Sequence, residues 1–272
     1  MSVEKSYVLG THDEEIARLS LQNAVWRPRA TAAWRRAGFS AGQTIVDLGC
    51  GPGWASLDLA DVVGASGRVV AIDRSRRFLE HLERAAAARG LANVEIRERD
   101  LNEGALPVEN VDGIWSRWVY AFVRDPRGLL ARAARAIRPG GTLVMHEYSD
   151  YRTWKVSPHE PEFEAFVKDV MVSWREQGGE PDVGLELPVW ASELGLEVKS
   201  LTPIQDAARP GDPVWQWPRA FVGVGLQRLV DVGRIDASRA GAIRDAWARL
   251  EASPHAFTVT PVVLEIIASR RA

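Results

Sequence analysis

This sequence predicts an α/β protein built on a doubly wound, mostly parallel sheet, and three observations carry the prediction. From residue 44 onward, short β-branched runs alternate with helical patterns. The first run ends in a glycine-rich turn, Gly49-Cys50-Gly51-Pro52-Gly53, which opens a helix. Asp73 and Asp100 stand at, or just past, the ends of the next two runs. Strands that are apolar along their whole length need cover on both faces, and right-handed crossovers bring helices to both.

Each element follows from local chemistry. Thr11 and Glu14 form a capping-box pattern ahead of Ile16, Leu19, Leu21 and Val25, which predicts a helix over 12–26. A second, shorter helix covers 28–37 and stops at Gly38. Residues 44–48 form the first strand, 54–62 a helix, and 68–73 the second strand. Ser75 caps a helix that runs to about Arg89, and Gly90 stops it. Strands follow at 93–97 and 111–115, then a helix over 126–137. Pro139-Gly140-Gly141 turns the chain into a fifth strand over 142–146. Beyond Tyr148 the alternation loosens, with helices over 160–176 and 187–193 and a mostly helical stretch over 213–252. Strands over 196–201 and 257–267 bring the sheet to seven. The expected organisation is a pair of cap helices (1–40), a ligand-binding core (41–148) and a remainder (149–272). That remainder completes the sheet and carries a helical lid over about 150–185 and 205–256, inserted before the last strand.

Composition narrows the function. The 272 residues carry 34 Lys+Arg against 36 Asp+Glu, a net charge of -2, which argues against nucleic acid as the main partner. Cys50 is the single cysteine, so no internal disulfide forms, and a reducing, cytoplasmic compartment is expected. The first residues lack the apolar stretch of a signal peptide, and no run of about 18 apolar residues predicts a membrane span. The 11 tryptophans are in excess of ordinary usage.

The glycine turn carries the chemistry. Glycines at alternate positions permit positive φ and let the backbone approach a ligand with no Cβ in the way. The helix beyond them adds a field that favours negative groups. Asp73, 20 residues after Gly53, is placed to accept the hydroxyls of a ribose. Asp100 is placed to meet the amine of an adenine. The alternative is a loop that only tightens a strand–helix turn, and two acidic residues in register argue against it. A nicotinamide fingerprint would need a small residue three positions after the second glycine, where this chain has the bulky Trp54, with Ala55 one position late.

The pattern Asp47-x-Gly49-x-Gly51-x-Gly53 resembles the first motif of class I S-adenosylmethionine-dependent methyltransferases. The resemblance spans about residues 40–148 and includes Asp73, the Arg99-Asp100-Leu101 turn and the segment Ile137–Gly141. It is nearest to small-molecule enzymes of the ubiquinone/menaquinone-biosynthesis type, and implies a seven-stranded Rossmann-like sheet. It also implies that Gly49, Cys50, Gly51 and Gly53 contact the methionine part of the cofactor, and that Asp47 holds the loop. Asp73 and Arg74 would bind the ribose region, and Asp100 with Leu101 the adenine. Ser116 and Arg117 would lie beside the amino-acid group and the methyl. The opening Tyr7–Thr11 with Arg18-Leu19 and Gln22 resembles the cap of some of these enzymes. Tyr7 and Gln22 would close the site, with Arg18 a partner for the methionine carboxylate. The alternative for Arg18 is a solvated helix charge.

Methyl transfer from a sulfonium needs alignment and water exclusion above all. The acceptor expected is a small, largely apolar or aromatic metabolite, lined by Trp118, Tyr120, Trp154, Trp215, Trp217 and Phe221, whereas Trp54 and Trp115 belong to the packing of the core. His146, at the end of the fifth strand beside Glu147, Tyr148 and Asp150, is the candidate general base, a satisfied structural histidine being the alternative. No spacing suggests a metal site. Two other readings stay open here: a nicotinamide-dependent oxidoreductase, and a methyltransferase-like fold that binds cofactor without transferring methyl.

Overall fold

The computed structural model describes residues 13–272, so Tyr7 and the Thr11 cap lie outside the described residues. The described chain opens on one long helix, α1 (Asp13–Arg36). Then come β1 (Thr44–Leu48), α2 (Trp54–Val63), β2 (Arg68–Asp73), α3 (Arg76–Ala88), β3 (Val94–Glu98) and β4 (Val111–Arg117). After these, α4 (Pro126–Ala136), β5 (Ile137–Asp150), β6 (Lys155–Ser157), α5 (Pro161–Glu176) and α6 (Leu187–Glu193) follow. The chain ends with β7 (Leu196–Ile204), β8 (Ala207–Ala208), α7 (Gln216–Asp231), α8 (Ala237–Ala252), β9 (Phe257–Val259) and β10 (Val262–Arg270).

Among the described residues the main sheet has seven strands in the order β3-β2-β1-β4-β5-β10-β7. The first five are mutually parallel, and β10 is antiparallel to both β5 and β7. The chain winds outward from β1 to β3 and then crosses to β4. The switch point therefore lies between β1 and β4, where the carboxyl ends of parallel strands open a crevice. A second sheet of three short strands, β6-β9-β8, sits beside it. No helix among the described residues is long and apolar enough to cross a membrane.

The fold departs from the sequence expectations in three places. The two cap helices are one, with Pro28 inside α1. A proline in a helix interior costs about 3 kcal/mol. The same helix buries Trp26, Ala30, Ala33 and Trp34, and burying a tryptophan contributes about 4–6 kcal/mol, so packing outweighs the proline. Pro139-Gly140-Gly141 does not precede the fifth strand but lies within it, as an irregularity of the β4–β5 pairing. There Val111 pairs with Ile137 but Gly113 with Thr142. The expected last strand is two, because Thr260 and Pro261 separate β9 from β10. Thr260 turns inward instead, its Oγ1 accepting the Asp206 amide at 3.0 Å.

Candidate functional site

A cavity of about 1300 Å3, counting its open mouth, lies over the switch point. Its lining changes along the sheet. On the β1–β3 side stand Asp47, Gly49, Cys50, Gly51, Asp73, Arg74, Arg99, Asp100, Leu101 and Asn102. On the β4–β5 side stand Trp115, Arg117, Trp118, Val119, Phe122, Val123 and Tyr148. Glu15, Arg18, Leu19 and Gln22, at helical spacing on α1, close the cavity from above, and Trp174 of α5 and Phe221 of α7 close it from the lid.

The glycine loop is held by acceptors on the neighbouring strand β2. Asp73 is 3% exposed; its Oδ2 accepts the Gly51 amide at 2.9 Å and its Oδ1 the Ser75 amide at 2.8 Å. The Cys50 amide donates to the Ile72 carbonyl at 3.0 Å. With these amides engaged inside the protein, the glycines serve a ligand by lacking side chains. A Cβ on Gly51, at φ +54°, would meet no protein atom within 4 Å and would stand in the cavity. A Cβ on Gly49, at φ +64°, would lie 2.6 Å from Cγ2 of Val119. Gly53 is off the cavity wall; its missing side chain lets α2 start against Leu82 of α3. Asp47 does not hold the loop as expected. Its Oδ2 accepts the Ser56 hydroxyl at 2.5 Å, tying β1 to α2, and Asp73 does the holding.

Burial lifts Asp47 to about 7 against the pull of the Ser56 hydrogen bond and the Arg117 charge, and burial raises Asp73 as well. The folded protein thus holds the Asp47 proton more tightly than the unfolded chain, where aspartate titrates near pH 4. The resulting stabilisation is complete below about pH 4 and disappears as pH rises to about 7. Asp47→Asn keeps an oxygen for Ser56 without a titrating group. Its melting temperature is therefore expected to change less than that of the wild type between about pH 5 and about pH 7.5. Equal slopes in thermal melts would refute the assignment.

Arg18 is neither solvated nor free. It is 8% exposed, pairs with Glu15 through Nε at 2.7 Å and Nη2 at 2.6 Å, and donates from Nη1 to Gln22 Oε1 at 2.9 Å. Among the described residues Arg117 makes no carboxylate contact: Nη2 donates to Asn23 Oδ1 at 2.9 Å, and Nη1 is buried with no partner there. Its guanidinium lies 5.4 Å from the Trp118 ring centroid, and burial pulls it down to about 10. Trp118 has φ +53°, a left-handed conformation costing a non-glycine residue about 1–2 kcal/mol.

The model of the methyltransferase domain family matches residues 39–197, more than half of the chain. The chain belongs to that family. A curated relative, the demethylmenaquinone methyltransferase of Lactococcus lactis, is 30% identical over 152 residues, covering 55% of this chain and 57% of its own length. A 37.1 kDa protein of transposon Tn4556 in Streptomyces fradiae is 32% identical over 193 residues, 69% of this chain and 51% of its own. The chain thus spans about half the length of the curated relatives it matches. Among solved structures, a candidate methyltransferase from Bacillus halodurans C-125 shares the fold, with a TM-score of 0.61 at 16% identity, covering 89% of this chain and 99% of that one. Family membership sets the nicotinamide reading aside.

In this methyltransferase-domain chain, the residues at hand fit S-adenosylmethionine, the cofactor of class I members of the family. Carboxylates face the cavity at the ends of β1 and β2 and just past β3, and Gly51 leaves open space between them. Trp115, Trp118 and Tyr148 supply aromatic faces suited to a sulfonium.

Several expected site residues are elsewhere. Ser116 is fully buried off the cavity, its hydroxyl without a partner among the described residues. His146 is 0% exposed beneath the wall. Its Nε2 donates to Glu265 Oε2 at 3.1 Å, its ring lies 4.8 Å from that of Trp115, and burial lowers its pKa. It has no path to an acceptor, and Arg36, 2.5 Å from Glu265, completes a structural triad. Tyr120, Trp154, Trp215 and Trp217 are also off the cavity. Trp154 donates to Thr258 at 3.2 Å, and Trp215 donates to Glu251 at 3.0 Å while packing on Trp247. Trp217 stacks behind Trp118, 5.6 Å away and 18° from parallel. Trp217 thus docks the lid to the sheet, whereas Trp154 and Trp215 pack within the segments that follow β5. Conversely Trp54 and Trp115, assigned by sequence to packing, stand on the wall, as do Phe122, from the aromatic cluster that follows the fourth strand in the sequence, and the unforeseen Val123 and Trp174. Helical spacing from Phe163, Phe166, Val167 and Val170 could have put Trp174 on the inner face of α5, but gives no sign that this face reaches the cavity.

Proposed function

We propose that the chain transfers a methyl group from S-adenosylmethionine to a small, largely apolar or aromatic acceptor. The observation that carries this reading is a single cavity with two unlike halves, one carboxylate-rich around the glycine loop and one aromatic beneath the lid. When bound, S-adenosylmethionine supplies an electrophilic methyl group on a sulfonium. Asp73 and Asp100 would hold its nucleoside, and Arg117, with one Nη free of partners among the described residues, would face its carboxylate. Arg18 contributes through Gln22 and Glu15 to the roof above them.

The acceptor side is formed by Trp118, Val119, Phe122, Val123, Tyr148, Trp174 and Phe221. These walls orient a flat apolar molecule and keep water out, effects that can supply several kcal/mol in a displacement reaction. No histidine lines the cavity among the described residues, and Glu15 is held by Arg18. In this reading alignment and water exclusion are the main contribution of the protein. The glycine-loop side of 41–148 then holds the cofactor, the turn after β4 and the lid within 149–272 shape the acceptor side, and the protein works in the cytoplasm.

Calorimetry with S-adenosylhomocysteine should show one site per chain. Incubation with S-adenosylmethionine and a metabolite extract should yield a product heavier by one methyl group. Absence of cofactor binding would overturn the proposal. Binding without any methylated product would favour a cofactor-binding protein that performs no transfer.

A further inference from the structure

Trp118 is one of two non-glycine residues with positive φ among the described residues, the other being Asn110. Backbone held in a sparsely populated region persists only where its surroundings over-determine it. Here two consecutive residues of β5 fasten the turn on either side of the strained position. The Trp118 amide donates to the His146 carbonyl at 2.9 Å. The next two amides, of Val119 and Tyr120, both donate to Glu147 Oε1, at 2.6 and 2.9 Å.

We propose that Glu147 is a positioning residue: its carboxyl clamps the backbone after β4 and so fixes the Trp118 indole as the wall between cofactor loop and acceptor. The role of that wall rests on the methyl-transfer reading above; the clamp itself rests on geometry. Glu147 is 0% exposed, does not line the cavity and forms no ion pair among the described residues. A buried carboxyl without a cation is costly, and this one lies at the edge of a ligand cavity, where its only polar contacts are to backbone. Burial lifts it to about 8 in spite of the amides it accepts.

What it holds connects both halves of the site. The Trp118 ring stacks on Tyr148 at 5.3 Å and 18°, and the edge of Trp26 meets it at 5.0 Å. The neighbouring Val119 side chain fills the space that the absent Cβ of Gly49 leaves. Moving the turn would thus move the aromatic wall and the glycine loop together. Glu147 Oε2, by contrast, has no hydrogen-bond partner among the described residues. Only one acceptor oxygen is in use, so a glutamine, which keeps that oxygen, is expected to do the same work without the charge.

The test uses full-length protein labelled with 5-fluorotryptophan, with the Trp118 and Trp247 fluorine resonances assigned from Trp118→Phe and Trp247→Phe. Glu147→Gln is expected to leave the Trp118 line where the wild type has it. Glu147→Ala is expected to shift or split that line while the Trp247 line, reporting on α8, stays in place. An unmoved Trp118 line in folded Glu147→Ala would overturn the clamp, as would Glu147→Gln displacing the line as far as Glu147→Ala. Should Glu147→Ala fail to fold, Glu147→Gln decides alone: a wild-type Trp118 line supports the clamp, a displaced one overturns it. Calorimetry of the wild type with S-adenosylhomocysteine runs alongside. A wild type that does not bind it removes the acceptor-wall role together with the methyl-transfer reading, whatever the Trp118 line does.

Discussion

Asp73→Asn is expected to weaken S-adenosylhomocysteine binding by about 100-fold, equivalent to about 2.7 kcal/mol. Both carboxylate oxygens of Asp73 accept backbone amides, one from Gly51 in the loop and one from Ser75 at the start of α3. Hydrogen bonds to a charged group contribute about 1.5–3 kcal/mol each. Asparagine keeps the shape but offers one oxygen, so its NH2 must face the N–H of Gly51 or of Ser75. Whichever contact is lost, the loop and the helix cap no longer share one anchor. The same side chain stands on the cavity wall, where the ribose hydroxyls would share its remaining lone pairs. Calorimetry on the two proteins checks this, and an affinity within about threefold of wild type would refute the anchoring role.

Gly49→Ala and Gly51→Ala are expected to fail in different ways although they sit two residues apart. Both positions have positive φ, so alanine pays about 1–2 kcal/mol of backbone strain at either. At Gly49 the new methyl would also stand 2.6 Å from Val119, whose backbone amide is held by Glu147. Overpacking of that kind adds about 1–3 kcal/mol, for a total near 2–5 kcal/mol. That is a large share of the margin by which most domains are stable. At Gly51 the methyl meets open space, so the fold loses little beyond strain while the ligand loses room. Gly49→Ala should therefore lower the melting temperature the more, and Gly51→Ala should keep most of its stability but lose cofactor affinity. Equal falls in melting temperature, measured by calorimetric scanning, would refute the distinction.

Much of the core was legible from the sequence. Alternating strand and helix periods, with glycines and prolines as punctuation, located β1 to β5 and the helices between them. Chemistry at strand ends put Asp73 and Asp100 on one crevice. Legibility failed where packing competes with local preference. Pro28 reads as a helix break, yet the tryptophans on either side of it bury enough surface to carry α1 through. His146 reads as a base because it ends a strand at the reactive edge of the sheet. Its ring instead faces Glu265 of β10, a residue 119 positions away. Tryptophans 154, 215 and 217 read as pocket lining because they are aromatic and lie in the lid, and all three turn toward the protein instead.

The sequence by itself determined the strand–helix alternation, the glycine turn and the placing of Asp73 and Asp100 at strand ends, because these depend on period, turn chemistry and spacing within a continuous stretch, and its motifs carried the family resemblance that the family model bears out. Only the tertiary structure decided that Asp73 anchors the loop, that Glu147 clamps the strained Trp118, and that Trp54, Trp115 and Trp174 face the cavity. Those roles depend on which side chains meet across the sheet and the lid, and such meetings are set by the close packing of segments far apart in the chain.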